Sequence, residues 1–263
     1  MRSRPASYAW RALITVLYLF LLAPIIVVLV ISFDSQPYLR FPPQGFSLQW
    51  YADLASNTAF LTGFRVSAIV GVAVAVLATV VGVPAAIALY RHRFRGSGAV
   101  TGLFIAPLMV PAITLGLALM LVLTPLGLTG TYPGLMLAHL GITVPYVVRT
   151  TMMSLMTADT SCEEAARILG AGPVTTFFRV TLPLVRPGVL AGAVIAFLIS
   201  FDEAVISLFV VGSGTTTLPV EIFRYVQYRT DPQVAALSVV LIAISVALVV
   251  IVERAVGLRR ALR

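Results

Sequence analysis

Long apolar runs alternate with short polar connectors along this chain. Apolar stretches occupy about residues 12–33, 64–90, 99–123, 132–153, 188–211 and 234–252. Each is long enough to cross a hydrocarbon core, which takes about 20 helical residues. The pattern predicts an all-α membrane protein with six transmembrane helices. The second run is over-long, so it is expected to tilt or to extend beyond the bilayer. Nothing of comparable length remains for a soluble domain, and residues 1–263 are expected to form a single transmembrane domain. Two longer connectors carry structure of their own. FSLQWYADL, after a turn-rich opening with Pro37, Pro42, Pro43 and Gly45, reads as a short interfacial helix anchored by Trp50 and Tyr51. LPVEIFRYVQYRT, after the flexible GSGTTT, reads as a second short amphipathic segment.

Composition excludes a soluble protein. Hydrophobic residues make up 59% and charged residues 11% of the chain, and the mean hydropathy is +1.01. A soluble domain of this kind would expose far more apolar surface than water tolerates. All 18 basic side chains are arginine. Arg2, Arg4 and Arg11 precede the first run; Arg91, Arg93 and Arg95 follow the second. Arg167, Arg179 and Arg186 lie between the fourth and fifth runs, and Arg254, Arg259, Arg260 and Arg263 close the chain. Six crossings put all of these on one side and only Arg40, Arg65, Arg224 and Arg229 on the other. The positive-inside rule then places both termini and the 157–187 connector in the cytoplasm. Topology and attraction to anionic membrane lipid account for the net charge of +8, which is no sign of nucleic-acid binding. The first run is longer than a signal-peptide core and is expected to be retained as a span. The single cysteine, Cys162, excludes an intramolecular disulfide and suits a reducing compartment.

The fifth run carries the most chemistry. Gly188, Gly192, Ala196, Ser200 and Ala204 recur every four residues, a row that lets another helix pack closely. Asp202 and Glu203 lie about 21 Å along this run from Gly188. Unpaired carboxyls at that depth cost about 2.5 kcal/mol or more each, so they must face protein or a water-filled cavity. On a helical wheel Glu203 falls within the arc of small residues and Asp202 at its edge. Two roles are open: lining a path and compensating a cationic substrate, or joining a structural network. Arg149 reads as a snorkelling or paired residue near the end of its run, and His139 as a satisfied packing residue. Pro24, Pro84, Pro107, Pro111 and Pro145 are expected to bend their spans. Pro107 and Pro111, followed by Gly116, mark the third as irregular.

The segment EAARILGAGPVTTFFRVTLP, residues 164–183, is the most informative connector. Ser161 and Glu164 form an S-x-x-E capping box, and Glu163 and Glu164 meet the positive end of the helix dipole, so a helix should begin near Cys162. Gly170 is its expected C-terminal cap, and Pro173 stops continuation. A helix of two to three turns is unstable alone and needs a partner surface. The small Ala165–Ala166 pair allows close approach, and Arg167 offers a charge. The bland alternative is an amphipathic helix lying on the bilayer.

Glu164-Ala165-Ala166, Gly170, Val180, Leu182 and Pro183 resemble the EAA loop of bacterial ABC-importer permease subunits, with Val180 where that family more often has Ile. The resemblance implies the type I importer permease fold, a bacterial inner-membrane location and a coupling helix that docks on a separate ATPase. It assigns ATPase coupling to Glu163, Glu164, Ala165, Ala166, Arg167, Gly170, Leu182 and Pro183. It also implies two ATPase subunits that carry ATP and Mg²⁺, a second permease chain and a solute-binding protein. FLISFDEAVISLFVVGSGTTTLPVEIF and VPYVVRT resemble the spermidine/putrescine branch, whose look-alike relatives carry other small organic solutes or iron. The outer connectors then either contact the binding protein or simply shape the pore.

The chain has no Walker A loop, H-E-x-x-H, G-x-S-x-G or Cys/His metal spacing, so neither enzymatic activity nor a cofactor or metal of its own is expected. The expected mechanism is alternating access driven by the partner ATPase. A secondary transporter or channel is the rival class, but no internal repeat relates the first three runs to the last three. A membrane enzyme would need a fuller constellation than His139 with scattered Ser and Asp residues.

Overall fold

The structure, a computed structural model, describes residues 4–91 and 95–256; Arg2, Arg93, Arg259, Arg260 and Arg263 of the charge pattern lie outside it, as does the side chain of Arg4. The regular elements among the described residues are all helices, in the order α1 (Arg4–Ile31), α2 (Gln49–Ser56), α3 (Thr58–Arg91), α4 (Ser97–Ile105), α5 (Ala112–Leu123), α6 (Tyr132–Thr157) and α7 (Ser161–Ile168). There follow α8 (Pro173–Thr176), α9 (Leu182–Asp202), α10 (Val205–Val210), α11 (Leu218–Tyr228) and α12 (Gln233–Val256). A 3₁₀ turn, Ala106–Met109, extends α4, and a π turn, Phe177–Thr181, joins α8 to α9.

Four helical stretches are long and apolar enough to cross a membrane: Trp10–Ile31, Thr58–Arg91, Pro173–Asp202 and Gln233–Ile251. α3 has 34 residues and is about 51 Å long, over-long as its run predicts. The third apolar run is not one straight helix: Ser97–Met109 and Ala112–Leu123 meet at 104°, and only as a bent pair do they make a fifth span. Proline chemistry explains the corner. Val110 is extended at φ −88°, ψ 133°, as the residue before Pro111 must be, and α5 restarts just after that proline. Pro24, Pro84 and Pro145, by contrast, sit inside continuous helices. α6, with 26 residues, is not among the four; His139, Thr143 and Thr151 are polar positions within it. All three are buried against other helices. The fifth run differs too: helix extends back to Pro173 and stops at Asp202 instead of continuing to 211.

The chain divides into two compact units. The larger comprises residues 59–223 and 247–263. Within it, Val66, Val70 and Val74 of α3 pack with Leu123, Leu135, Ala138, Ile142, Ile206 and Val210. A second cluster joins Ala75, Ala78 and Val83 to Val147 and Leu155 of α6 and to Val185, Val189 and Ala196 of α9. The small-residue row of α9 meets α6, as its spacing predicts. A Cβ on Gly188 would stand 2.5 Å from Ser154 Cβ and 2.6 Å from the Thr150 carbonyl oxygen, so only glycine permits this approach.

The smaller unit comprises residues 1–58 and 224–246. Trp50 is buried and donates to the Asp34 carbonyl at 2.6 Å, while Tyr51 shares a 2.8 Å hydrogen bond with Ser32. These rings therefore fix the loop against α2. The Tyr225 hydroxyl donates to Asp231 at 2.7 Å, and burial together with that carboxylate pushes the phenol up to about 12. α2 and α11 are the short helices the two connectors predict.

Candidate coupling surface and translocation cavity

The 164–183 segment folds into a capped helix followed by a proline-initiated one. The Gly170 N–H donates to the Arg167 carbonyl and the Ala171 N–H to the Ala166 carbonyl, each at 3.0 Å, with Gly170 at φ +86°. This is a Schellman closure, and the left-handed position selects glycine. The start differs from the S-x-x-E expectation. Ser161 is already helical, and the cap comes from Asp159, whose Oδ1 accepts the Ser161 N–H at 2.9 Å. That hydrogen bond holds the Asp159 carboxyl below its usual value of 3.8. Pro173, besides ending the turn, opens α8 as its first residue.

The two adjacent glutamates face different ways. Glu163 is buried, ion-paired with Arg91 at the end of α3, and accepts the Thr181 hydroxyl at 2.7 Å from the π turn. Arg91 also reaches Thr181 at 3.2 Å. Glu164, Ala165, Arg167 and Gly170 are exposed, Ala166 is half-buried, and Ile168 and Leu169 are 85% and 86% exposed. Further along, Val174, Phe178 and Pro183 are exposed and Leu182 is half-buried. The result is a surface of small and apolar residues with an acidic and a basic group, tied to α3 by an internal ion pair and to the π turn before α9 by the Thr181 hydroxyl. The tie escaped the sequence, because Arg91 and Thr181 lie 72 residues before and 18 residues after Glu163.

The second site surrounds the end of α9. Glu203 is extended at ψ 106°, and its carboxylate Oε1 accepts the Ile206 N–H at 2.9 Å, capping α10. Pro107, Leu108, Val110, Ala112, Leu115, Ile142, Tyr146, Ile199, Glu203 and Ile206 line a cavity of about 180 Å³. The α4–α5 corner supplies one wall and α6 another. Glu203 is the only acidic group in this lining, and it has no arginine within ion-pair distance among the described residues. Asp202 points elsewhere: it is exposed and absent from the lining. His139 is fully buried, with Nδ1 2.8 Å from Ser200 Oγ and Nε2 3.0 Å from Ser207 Oγ, the satisfied packing residue the sequence suggests. Arg149 is exposed two turns before the end of α6.

Known proteins resemble this chain in sequence and in fold. The chain is 38% identical over 241 residues to the spermidine/putrescine transport system permease protein PotC of Haemophilus influenzae, covering 92% of this chain and 93% of the relative. It is 34% identical to the putrescine transport system permease protein PotI of Escherichia coli, covering 89% and 85%. A crystal structure of a bacterial ABC transporter involved in the import of the acidic polysaccharide alginate contains a chain of the same fold. Its TM-score is 0.68 at 19% identity, with 98% of both chains covered. The chain is thus a non-catalytic, inner-membrane permease component of an ABC importer. Residues 78–258 match the binding-protein-dependent transport system inner membrane component family, and the chain belongs to that family.

Proposed function

We propose that this chain is the permease subunit of an ATP-driven importer that receives a small organic cation of the polyamine class from a solute-binding protein and passes it to the cytoplasm by alternating access. The observation that carries the substrate class is Glu203, one carboxylate with no ion-paired partner among the described residues, beside Tyr146 in an otherwise apolar cavity. An alkyl diamine has the matching chemistry: ammonium ends for the carboxylate and the aromatic face, and methylenes for the apolar walls. The PotC and PotI likeness supports the same class.

In this reading the six crossings are α1, α3, the α4–α5 pair, α6, the stretch from α8 to α10, and α12, with both termini cytoplasmic. Glu164, Ala165, Ala166, Arg167 and Gly170 present the docking surface to an ATPase, while Glu163, Leu182 and Pro183 join that surface to the membrane helices. Two ATPase subunits bind ATP and Mg²⁺, and a second, related permease chain completes the path. Closure of the ATPases moves α7, and the spans reopen towards the binding protein.

The test is uptake of labelled putrescine by the complete complex in proteoliposomes. ATP-dependent uptake that spermidine competes is expected, with Glu203→Gln raising the half-saturating concentration about tenfold, or about 1.4 kcal/mol, at unchanged complex yield. Indifference of putrescine uptake to Glu203→Gln would contradict the cation site. Failure of any polyamine to be taken up would contradict the substrate class.

A further inference from the structure

The helix breaks at Glu203 without a proline or a glycine to force it. Ser200-Phe201-Asp202-Glu203-Ala204-Val205-Ile206-Ser207 contains neither proline nor glycine. Hydrogen bonds hold it instead, two of them local and two from His139 on α6. The Glu203 side chain accepts the Ile206 N–H, and the Glu203 carbonyl accepts the Ser207 hydroxyl at 2.7 Å. Ser207 Oγ in turn meets His139 Nε2, and His139 Nδ1 meets Ser200 Oγ on the other side of the break.

Counting hydrogens gives this chain a direction. A serine hydroxyl has one hydrogen, and a neutral imidazole has one N–H and one acceptor nitrogen. With the Ser207 hydrogen on the Glu203 carbonyl, the hydrogen between His139 and Ser207 must come from Nε2. Nδ1 is then the acceptor, and Ser200 must donate to it. We infer that His139 is a positioning residue for Glu203: Ser200 Oγ–H donates to Nδ1, Nε2–H to Ser207 Oγ, and Ser207 Oγ–H to the Glu203 carbonyl. The imidazole spans the break from α6 and fixes the peptide that turns the Glu203 carboxylate into the cavity. This deepens the reading of Glu203 as a cation site and rests on it. A histidine serving only to fill the core would stabilise α6 against α9 without acting through Glu203.

A double-mutant cycle in the complete complex separates the two roles, with putrescine uptake as the probe. His139→Leu is expected to raise KM about tenfold with kcat and complex yield within about twofold of the parent. In a Glu203→Gln background it should change KM by less than about twofold, because its route of action is already gone. His139→Gln, whose amide supplies one donor and one acceptor, should restore most of the KM. Multiplicative effects of the two substitutions, or a loss of kcat in place of the KM change, would overturn the inference. If His139→Leu fails to assemble, Ser207→Ala removes the last link of the chain and is read in the same cycle. Failure of both to assemble would assign His139 to packing and overturn the proposal. Glu203→Gln alone keeps the two levels apart. No KM effect removes the cation site itself, whereas a KM effect with multiplicative behaviour removes only the role of His139.

Discussion

The two acidic pairs, Glu163–Glu164 and Asp202–Glu203, pose the same problem and are resolved in opposite ways. In the first, the earlier residue turns inward and is neutralised by Arg91, leaving Glu164 on the surface. In the second, the later residue turns inward, and among the described residues its carboxylate meets a backbone N–H of α10 and no arginine. A carboxylate with an arginine beside it is a structural tie, because its charge is already compensated. A half-buried carboxylate met by a neutral donor has no opposite charge beside it and is open to a cationic guest. The contrast teaches that location alone does not separate a strut from a binding group; the identity of the partner does.

The largest effect expected is on the strut. Arg91→Glu leaves Glu163 buried against a like charge and should lower stability by about 3 kcal/mol, read as a lower melting temperature and poor yield of the complex. The reversed pair, Arg91→Glu with Glu163→Arg, should recover much of both. A single variant that melts like the parent would erase the distinction between the pairs. Next is the exposed neighbour. Glu164→Arg should keep yield and melting temperature but reduce solute uptake about tenfold through lost ATPase docking. Unchanged uptake would show that this face does not couple.

Two smaller effects sharpen the coupling side. Gly170→Ala forces a side chain into the left-handed region at a position with open space around it, so the penalty is conformational, about 1 kcal/mol. It should appear as faster hydrogen exchange confined to residues 167–171. The smallest effect is the Asp159 cap. Its carboxyl titrates below 3.8 when folded, so its contribution is present above that value and disappears as pH falls through the lower, folded one. Exchange at the Ser161 amide, corrected for intrinsic rate, should rise below about pH 4 in the parent and be pH-independent in Asp159→Asn. An identical profile in both would remove Asp159 as the cap.

The sequence exposed what rests on local spacing. Gly170 requires a left-handed cap wherever its partner lies, and the Gly188–Gly192–Ala196–Ser200 row declares a close helix contact without naming α6. Distant partners erased other features. The S-x-x-E pattern lost to Asp159, two residues before Ser161, which supplies a competing acceptor. Trp50 and Tyr51 read from sequence as aromatic anchors, and their bonds to Asp34 and Ser32 lay beyond its reach. The break at Glu203 was only partly legible: its local bonds to Ile206 and Ser207 are backed by contacts from His139, 61 residues before Ser200. Polar positions in α6 hid their burial, because an apolar count cannot tell a threonine facing lipid from one facing protein.

In the proposed function this chain is half of a membrane path joined to ATPase subunits. Native mass spectrometry of the complex, purified in mild detergent through a tag on this chain, tests it most directly. The expected result is one copy of this chain with a second permease chain and two copies of an ATPase. Repeated recovery of this chain alone, or as a homo-oligomer without an ATPase under conditions that preserve other membrane complexes, would contradict the account.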